Sequence, residues 1–255
     1  MVFPSNIYCI VCGSMIDGSR PYALCDECVR KMHWITGDTC DRCGKALPET
    51  YRGVGPDGRR LCYDCMTRDH SFTRGWSCLS YGLYEREIMM AIKYSGKGYI
   101  AGKMGDVMYE RMEPLIEAAK EEEIAPFDVV IPVPVGSKRL VRRGYNQSEL
   151  MARQFLRRWG RGGPRLETHV LRRSKETVML RSLNPEERRL ALHGAFAVNE
   201  RLRHRIEGCN ILLIDDIYTT GATADACSKA LLEAGASDVY LLTLCSGGNR
   251  RPKED

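Results

Sequence analysis

The spacing of apolar residues predicts regular secondary structure in the part of the chain that follows residue 75. Through residues 83–118, apolar side chains such as Ile88, Ala91 and Ile92 recur at the intervals of a helix. Short continuous apolar runs are instead typical of buried strands. By this criterion strands are predicted at residues 128–133, 169–171, 195–198, 210–214 and 239–244.

Capping residues predict where further helices begin and end. Asn146, with Glu149 three residues on, forms a capping-box pattern that opens a helix through about Arg158. The run 184–187, Asn-Pro-Glu-Glu, supplies a cap, a first-turn proline and acids at a helix N-terminus. A last helix over residues 222–234 is closed by a glycine. Strands that alternate with helices predict an α/β fold, with a parallel sheet flanked by helices.

Cysteine dominates the first 70 or so residues, which have few large apolar side chains. Eight of the 12 cysteines form four CxxC pairs before residue 66. In a reducing compartment, repeated CxxC pairs indicate metal ligands before disulfides. The eight residues are Cys9, Cys12, Cys25, Cys28, Cys40, Cys43, Cys62 and Cys65.

Eight thiolates supply two zinc sites with four sulfur ligands each. Two of the pairs end in a glycine, Gly13 or Gly44, and this CxxCG form is that of a metal knuckle. Sequential pairing places the first two pairs on one ion and the last two on the other, while an interleaved cross-brace stays open. Sites filled by sulfur alone are structural, and their metal supplies much of the folding energy. His33 and His70 are predicted to be bystanders.

The net charge of +5 conceals a strong asymmetry. Residues 136–205 contain 18 Lys/Arg against 6 Glu, a net charge of +12, so the remainder of the chain sums to −7. A basic block of this size is typical of a phosphate-facing surface, although a solvated arginine-rich face has the same composition.

The run 211–223, ILLIDDIYTTGAT, combines a buried strand, an acidic pair and a small-residue turn. Asp215 and Asp216 stand at the end of the strand, where α/β sheets bind their ligands. The turn leads directly into a helix, so it presents backbone N–H groups and hydroxyls to an anion. A monophosphate suits the turn, and sugar hydroxyls suit the carboxylates, directly or through a Mg²⁺-bound water. The segment therefore predicts a ribose 5-phosphate site.

The same run resembles the phosphoribosyl diphosphate (PRPP) loop of type I phosphoribosyltransferases. The resemblance implies that Asp215 and Asp216 hold the ribose hydroxyls. It also implies that the 5-phosphate is held by Thr219, Thr220, Gly221, Ala222 and Thr223.

Nearly the whole chain is similar to the ComF (ComFC-like) family. The order of features is a double zinc ribbon, an IPVPV strand, RRGYNQSELMA, a GAF-containing strand and the PRPP loop, and RGYNQ at 143–147 is diagnostic. The resemblance implies a double zinc-ribbon domain over residues 1–75 and a type I phosphoribosyltransferase-like domain over residues 76–250. It also implies a link to DNA uptake in natural transformation.

Two positions depart from the family pattern in the linker before the GAF strand. Leu180 and Ala191 stand where the family pattern has glutamine and asparagine, whereas Arg172, Thr177 and Arg188 fit it. If this linker closes over PRPP, its polar contacts are weaker here. The sequence thus favours binding more strongly than turnover.

A phosphoribosyltransferase is the first of three functions that fit these features. Transfer from PRPP requires positioning and charge neutralisation, by Mg²⁺ and by basic side chains on the leaving pyrophosphate. The basic candidates beyond the IPVPV strand are Lys138, Arg139, Arg142 and Arg143, and those of the linker are Arg172, Arg173 and Lys175. No general base or acceptor substrate stands out, so catalytic residues stay unassigned.

Single-stranded DNA binding and PRPP sensing without transfer are the two alternatives. The basic block would then follow a DNA backbone, with Trp159 or Tyr145 as a stacking surface, although the place of Trp159 at the end of an amphipathic helix favours the core. The zinc ribbons would contact DNA or dock a partner such as a competence helicase or another uptake protein. The oligomeric state stays open.

Membrane insertion is not expected. No apolar run approaches the roughly 18 residues that cross a bilayer. The N-terminal segment lacks the basic start and unbroken apolar core of a secretory signal. A cytoplasmic location is therefore the expectation.

Overall fold

A computed structural model describes residues 7–17, 22–94, 96–122, 126–175 and 185–247. Seven strands lie in these ranges: Arg74–Ser80 (β1), Val129–Pro132 (β2), Arg165–Leu166 (β3), Leu171–Arg173 (β4), Phe196–Val198 (β5), Asn210–Tyr218 (β6) and Asp238–Ser246 (β7). Five of them form an all-parallel sheet in the order β1-β7-β6-β2-β3. The short strands β4 and β5 pair with each other, antiparallel.

Helices lie on both faces of the five-stranded sheet. The described α-helices are Asp26–Lys31 (α1), Tyr63–Thr67 (α2), Leu83–Tyr94 (α3), Gly98–Glu121 (α4), Ser137–Arg143 (α5), Gln147–Trp159 (α6), Pro185–Leu192 (α7) and Ala222–Glu233 (α8), with a 3₁₀ turn at Glu200–Arg205. The predicted α/β fold class is confirmed: a parallel sheet is flanked by helices, and a small four-cysteine module precedes it. None of the described helices is long and apolar enough to cross a bilayer.

The central strand β6 divides the hydrophobic core into two clusters. Leu212 and Ile214 face the cluster that contains the buried residues of α3, α4 and α6. Ile211 and Leu213 face a cluster with buried residues of α8 and β5. Successive side chains of a strand point to opposite faces, which is why this continuous apolar run serves both cores.

Strand β1 was missed by the sequence pattern. It pairs with β7 in parallel register, with Trp76 opposite Leu242. Polar Ser77 interrupts its apolar run, but the Ser77 hydroxyl is buried and lies 2.8 Å from the hydroxyl of Thr243 on β7. The two buried hydroxyls satisfy each other's hydrogen-bonding requirement, so only the tertiary structure reveals the strand.

Several predicted elements have different bounds or partners. The helical region 83–118 is two helices, α3 and α4, with Gly96 at φ +66° between them. The segments predicted as strands at 169–171 and 195–198 correspond to β4 and β5, which leave the main sheet. Strand β6 extends to Tyr218, so the acidic pair lies inside the strand.

The helix predicted from Asn146 is confirmed as α6. Asn146 caps it, since its side-chain oxygen accepts from Ser148 N at 3.1 Å. The side chain of Glu149 forms an ion pair with Arg153. This ion pair replaces the hydrogen bond that a capping box would make from Glu149 to the backbone of Asn146. Trp159 is buried against Phe155, which confirms its core interpretation and rules it out as an exposed stacking surface.

Candidate functional site

The strands β2 and β6 are neighbours, and the chain leaves them in opposite directions. From β2 it continues through α5 and α6 to β3, whereas from β6 it continues through α8 to β7 on the other side. Open α/β sheets bind ligands in the crevice at such a switch point, beyond the carboxyl ends of the strands. A cavity of about 600 Å³ lies there, and residues 215–223 line it together with residues of α3 and α5.

The two aspartates of β6 are held by different partners. Asp216 Oδ2 accepts a hydrogen bond from Gln147 Nε2 at 2.8 Å and pairs with Lys93 Nζ at 2.9 Å. Asp215 Oδ1 accepts from Ser148 Oγ at 3.2 Å and from the backbone N–H of Asp216 at 2.8 Å. Burial, followed by the neighbouring Asp216 carboxylate, raises the pKa of Asp215 to about 7.

The turn after β6 has the geometry of an anion site. Gly221 caps α8 at φ +81°, a left-handed conformation that side chains disfavour. The first N–H groups of a helix lack intrahelical acceptors, so this end of α8 offers donors to an anion. Thr220 Oγ1 is buried with no hydrogen-bond partner among the described residues, and Thr220 lines the cavity. An orphaned hydroxyl of this kind fits an anionic ligand.

Basic side chains from α5 line the opposite wall. Lys138, Arg139, Arg142 and Arg143, all predicted, reach the cavity. Among the described residues of the cavity wall, the predicted Arg173 is present and the predicted Arg172 is not, because adjacent residues of β4 point to opposite faces.

The RGYNQ segment positions this wall. Arg143 Nη1 donates to Gln147 Oε1 at 2.9 Å, and Gln147 in turn donates to Asp216. The Tyr145 hydroxyl donates to the backbone oxygen of Ile92, at 2.5 Å, near the end of α3. The segment therefore links the arginine, the carboxylate and α3, and the hydroxyl of Tyr145 is engaged in that link.

Four residues that line the site or contact its residues were not predicted as members of it: Lys93, Ser148, His70 and Tyr218. Lys93 lies 123 positions from Asp216, so no local spacing signals their ion pair. For Gln147 a signal existed, since the family resemblance singled out RGYNQ. Leu180 and Thr177 lie outside the described residues, whereas Ala191 is half-buried on α7.

Among its described residues, the basic block divides into cations that line the cavity and cations that pair with acids elsewhere. Away from α5, several of its arginines pair with acids of their own neighbourhood, as Arg153 does with Glu149, Arg205 with Glu167 and Arg203 with Glu207. The cations of α5 and Arg173 are those that line the cavity. The charge count alone therefore overstates the continuity of the phosphate-facing surface.

The eight paired cysteines form two clusters by sequential pairing. In each cluster the four sulfur atoms lie within 4.8 Å of one another. Cys12 and Cys25 are 3.6 Å apart at Sγ, and Cys43 and Cys62 are 3.7 Å apart. Tetrahedral zinc with Zn–S bonds of about 2.3 Å requires S···S distances of about 3.8 Å. Both donor sets therefore fit zinc, in the grouping 9/12/25/28 and 40/43/62/65.

Neither His33 nor His70 belongs to a described metal cluster, yet each binds a carboxylate. His33 Nδ1 lies 2.9 Å from Glu85 of α3, and His70 Nδ1 lies 3.0 Å from Asp225 of α8. Each histidine stands five residues after the last cysteine of its cluster. This CxxC-x₄-His repeat is visible in the sequence and was missed.

Residues 1–82 match the family model of the double zinc ribbon domain. Competence protein F of Haemophilus influenzae is 26% identical, with 85% of this chain and 94% of that protein covered. Competence protein ComFC of Bacillus subtilis is 28% identical, with 87% and 83% covered. The resemblance to the ComF family is confirmed. DNA utilization protein YhgH of Escherichia coli K12 is another relative of this ComF-like chain, 27% identical with 88% and 90% covered.

Among solved structures, the ComF-like chain matches a purine phosphoribosyltransferase from Pyrococcus horikoshii Ot3. The TM-score is 0.26 at 13% identity, with 53% of this chain and 78% of that chain covered. The fold class rests on the strand order and the helices on both sheet faces rather than on this superposition.

Proposed function

We propose that this ComF-like chain binds PRPP, or ribose 5-phosphate, in the cleft between β2 and β6. The supporting observation is that an anion turn, two carboxylates and a basic helix meet around one cavity. Each of these features occurs alone in proteins that bind no sugar phosphate. Together they match the three parts of PRPP, namely its 5-phosphate, its ribose hydroxyls and its pyrophosphate.

The turn at residues 219–223 would receive the 5-phosphate. The N-terminal N–H groups of α8 and the unpartnered hydroxyl of Thr220 are donors, and a phosphate monoester supplies acceptors for them. The carboxylates of Asp215 and Asp216 would accept from the 2- and 3-hydroxyls of the ribose. Because Lys93 balances the charge of Asp216, that carboxylate can accept a sugar hydroxyl without a metal ion.

The pyrophosphate would lie toward α5. Lys138, Arg139, Arg142 and Arg143 present cations there, and arginine binds phosphate oxygens through two parallel hydrogen bonds. Mg²⁺ would enter with PRPP, bound mainly by the phosphates and by water, as this ion prefers. Transfer of the phosphoribosyl group to a nitrogen acceptor is a separate step, and release of pyrophosphate with a panel of nucleobases tests it.

A role in DNA uptake or use is the biological setting that we propose, because relatives carry the names competence protein and DNA utilization protein. The zinc ribbons would then dock a helicase or another uptake protein. Single-stranded DNA is the second candidate ligand. Tyr94 favours single-stranded DNA, since this residue is 54% exposed and its ring lies under the guanidinium groups of Arg142 and Arg143. An exposed ring beside cations can stack a base.

Calorimetric titration tests the proposal. We expect PRPP with Mg²⁺ to bind the wild type, and the double substitution Asp215→Asn with Asp216→Asn to abolish binding. Asp57→Asn, an exposed aspartate of the zinc module, is the control and should bind as the wild type does. A folded wild-type protein with two zinc ions that binds neither PRPP nor ribose 5-phosphate would contradict the proposal.

An oligothymidine titration over a salt series distinguishes the second candidate. A steep dependence on salt that survives both aspartate substitutions would identify DNA as a ligand held by the cations. If the cations serve PRPP instead, the oligonucleotide should bind weakly at physiological salt and should not compete with PRPP.

A further inference from the structure

The two histidines that follow the metal clusters hold the zinc modules to different parts of the α/β domain. His33 meets Glu85 in the first turn of α3, and His70 meets Asp225 in the first turn of α8. Helix α8 begins with the turn of the candidate phosphate site. The second histidine therefore lies behind the proposed ligand, and the first does not.

The hydrogen bonds of His70 define its orientation. Its Nδ1 lies 3.0 and 3.1 Å from the two carboxylate oxygens of Asp225. Because a carboxylate accepts hydrogen bonds, Nδ1 is the protonated nitrogen that donates. On the other side of the ring, Nε2 lies 3.4 Å from the Tyr218 hydroxyl, which is the donor there. The backbone N–H of Ser71 adds a second donor to Asp225, at 3.0 Å.

The ring of His70 also packs against the backbone of the phosphate turn. A Cβ atom added to Gly221 would come within 2.8 Å of His70 Cε1 and of the Tyr218 hydroxyl. The backbone N–H of Asp225 donates to the carbonyl of Gly221 at 2.8 Å. His70 thus holds the turn through Asp225 and supports it by direct contact at Gly221.

The second metal cluster lies behind His70. Its four cysteines share a hydrophobic cluster with Phe72 and Tyr218, and the Phe72 ring stacks on His70 with centroids 4.9 Å apart. Arg42, inside the knuckle, donates to the backbone oxygen of His70 at 2.6 Å. The side chain of His70 is 1% exposed, whereas that of His33 is 60% exposed. The two equivalent histidines therefore differ in burial as well as in partner.

We propose that His70 is a positioning residue for the turn at residues 219–223. The second zinc module and this turn would then form one structural unit. The proposal rests on the proposed ligand for its functional consequence. Its structural content, that His70 holds residues 219–223 in the ligand-competent conformation, is testable without any ligand.

The test compares His70→Ala with His33→Ala, which removes the equivalent histidine from the other module. Hydrogen exchange is measured on the unliganded proteins, followed by PRPP titration with Mg²⁺. We expect His70→Ala to speed exchange in residues 219–226 and to weaken PRPP binding by about tenfold or more, since a hydrogen bond to a charged group is lost. We expect His33→Ala to leave both readouts as in the wild type.

His70→Asn separates positioning from bulk stability. Its amide can still donate to Asp225, so we expect it to recover much of the turn protection and affinity that His70→Ala loses. Zinc content is measured for each variant. If His70→Ala loses zinc or does not fold, Asp225→Ala removes the acceptor from the α/β side and should produce the same loss of turn protection.

Two results would overturn the role of His70. One is exchange in the turn and PRPP affinity that match the wild type in a folded His70→Ala protein. The other is an equal effect of His33→Ala and His70→Ala. If the wild type itself fails to bind PRPP, the proposed function is lost, and the exchange data alone then decide whether His70 positions the turn.

Discussion

The two zinc modules share one ligand pattern but lie on opposite faces of the same sheet. Cys9 and Cys28 of the first module belong to the cluster formed with α3, α4 and α6. All four cysteines of the second module belong to the other cluster, with α8 and β5. The first cluster has an exposed ligand in Cys12, whereas every ligand of the second is buried. A repeated motif has thus acquired two different structural roles.

The largest expected difference follows from removing one metal ligand at equivalent positions. Cys12→Ser and Cys43→Ser should each reduce the zinc content from two ions to one. Structural zinc contributes on the order of 10 kcal/mol to the folding of small metal domains, which rivals the roughly 5–15 kcal/mol of a whole domain. Because Cys43 is buried in the hydrophobic cluster that also contains Tyr218 and Ala224, we expect its loss to abolish cooperative unfolding and PRPP binding.

Cys12→Ser should keep a cooperative transition and bind PRPP within about twofold of the wild type, an effect below 1 kcal/mol. Metal analysis, thermal unfolding and calorimetry measure the two variants side by side. Equal loss of ligand affinity in both would show that the modules contribute alike, and the comparison would fail.

The knuckle glycines of the two modules have different surroundings. Gly13 and Gly44 both have positive φ, at +75° and +72°. A Cβ on Gly13 meets nothing within 4 Å, whereas one on Gly44 would lie 2.5 Å from the carbonyl oxygen of Gly75, in β1. A left-handed conformation costs a side chain about 1–2 kcal/mol, and overpacking adds about 1–3 kcal/mol.

We therefore expect Gly13→Ala to lower the free energy of unfolding by about 1–2 kcal/mol and Gly44→Ala by about 2–5 kcal/mol. Urea unfolding followed by tryptophan fluorescence measures both. Similar losses of unfolding free energy in the two variants would mean that the second knuckle does not pack against β1 in solution. The zinc content of Gly13→Ala should remain two ions and serves as its control.

The smallest expected effect is a pH dependence that originates in Asp215 of the candidate cleft. The pKa of Asp215 is raised to about 7, so this carboxyl ionises between pH 6 and pH 8. Its ionised form is the better acceptor for ribose hydroxyls, and PRPP affinity should rise by up to about tenfold over that window. Stability should fall mainly between about pH 4 and pH 7, since a folded-state pKa above the unfolded value favours folding only at lower pH.

Asp215→Asn is the control for this pH effect, although it weakens binding. The substitution removes the titration of the Asp215 carboxyl. It keeps the titration of the ligand phosphate, which also ionises near pH 6. The affinity of His33→Ala should retain the wild-type pH profile. If Asp215→Asn shows the same pH profile of PRPP affinity as the wild type, the pH dependence comes from the ligand alone.

The cysteine clusters and the strand-turn-helix segment at residues 211–223 were the most predictable parts of the structure, for a shared reason. In both, the groups that act together stand close along the chain, as the cysteines of a CxxC pair do, or as Asp215, Asp216 and the turn do. Local spacing then constrains local geometry directly. Strand β6 was predictable for a similar reason, since burial on both faces makes its apolar run continuous.

The parts that were missed depend on partners far along the chain. Strand β1 pairs with β7 where Ser77 meets Thr243. Of the candidates Arg172 and Arg173, it is Arg173 that lines the cavity. The charge count over residues 136–205 could not reveal which cations pair with nearby acids and which line the cleft. Such outcomes follow from register and packing, which no short window of sequence contains.

By itself the sequence determined the chemistry that this protein carries: eight thiolates in two sets, an acidic pair, and a threonine-glycine turn before a helix. The tertiary structure alone decided what that chemistry is joined to. It brought Lys93 and Gln147 to Asp216, and it placed His70 behind Gly221. The physical reason is that donor type and spacing are properties of a short segment, whereas the position of a partner depends on the strand order and on which sheet face each zinc module covers.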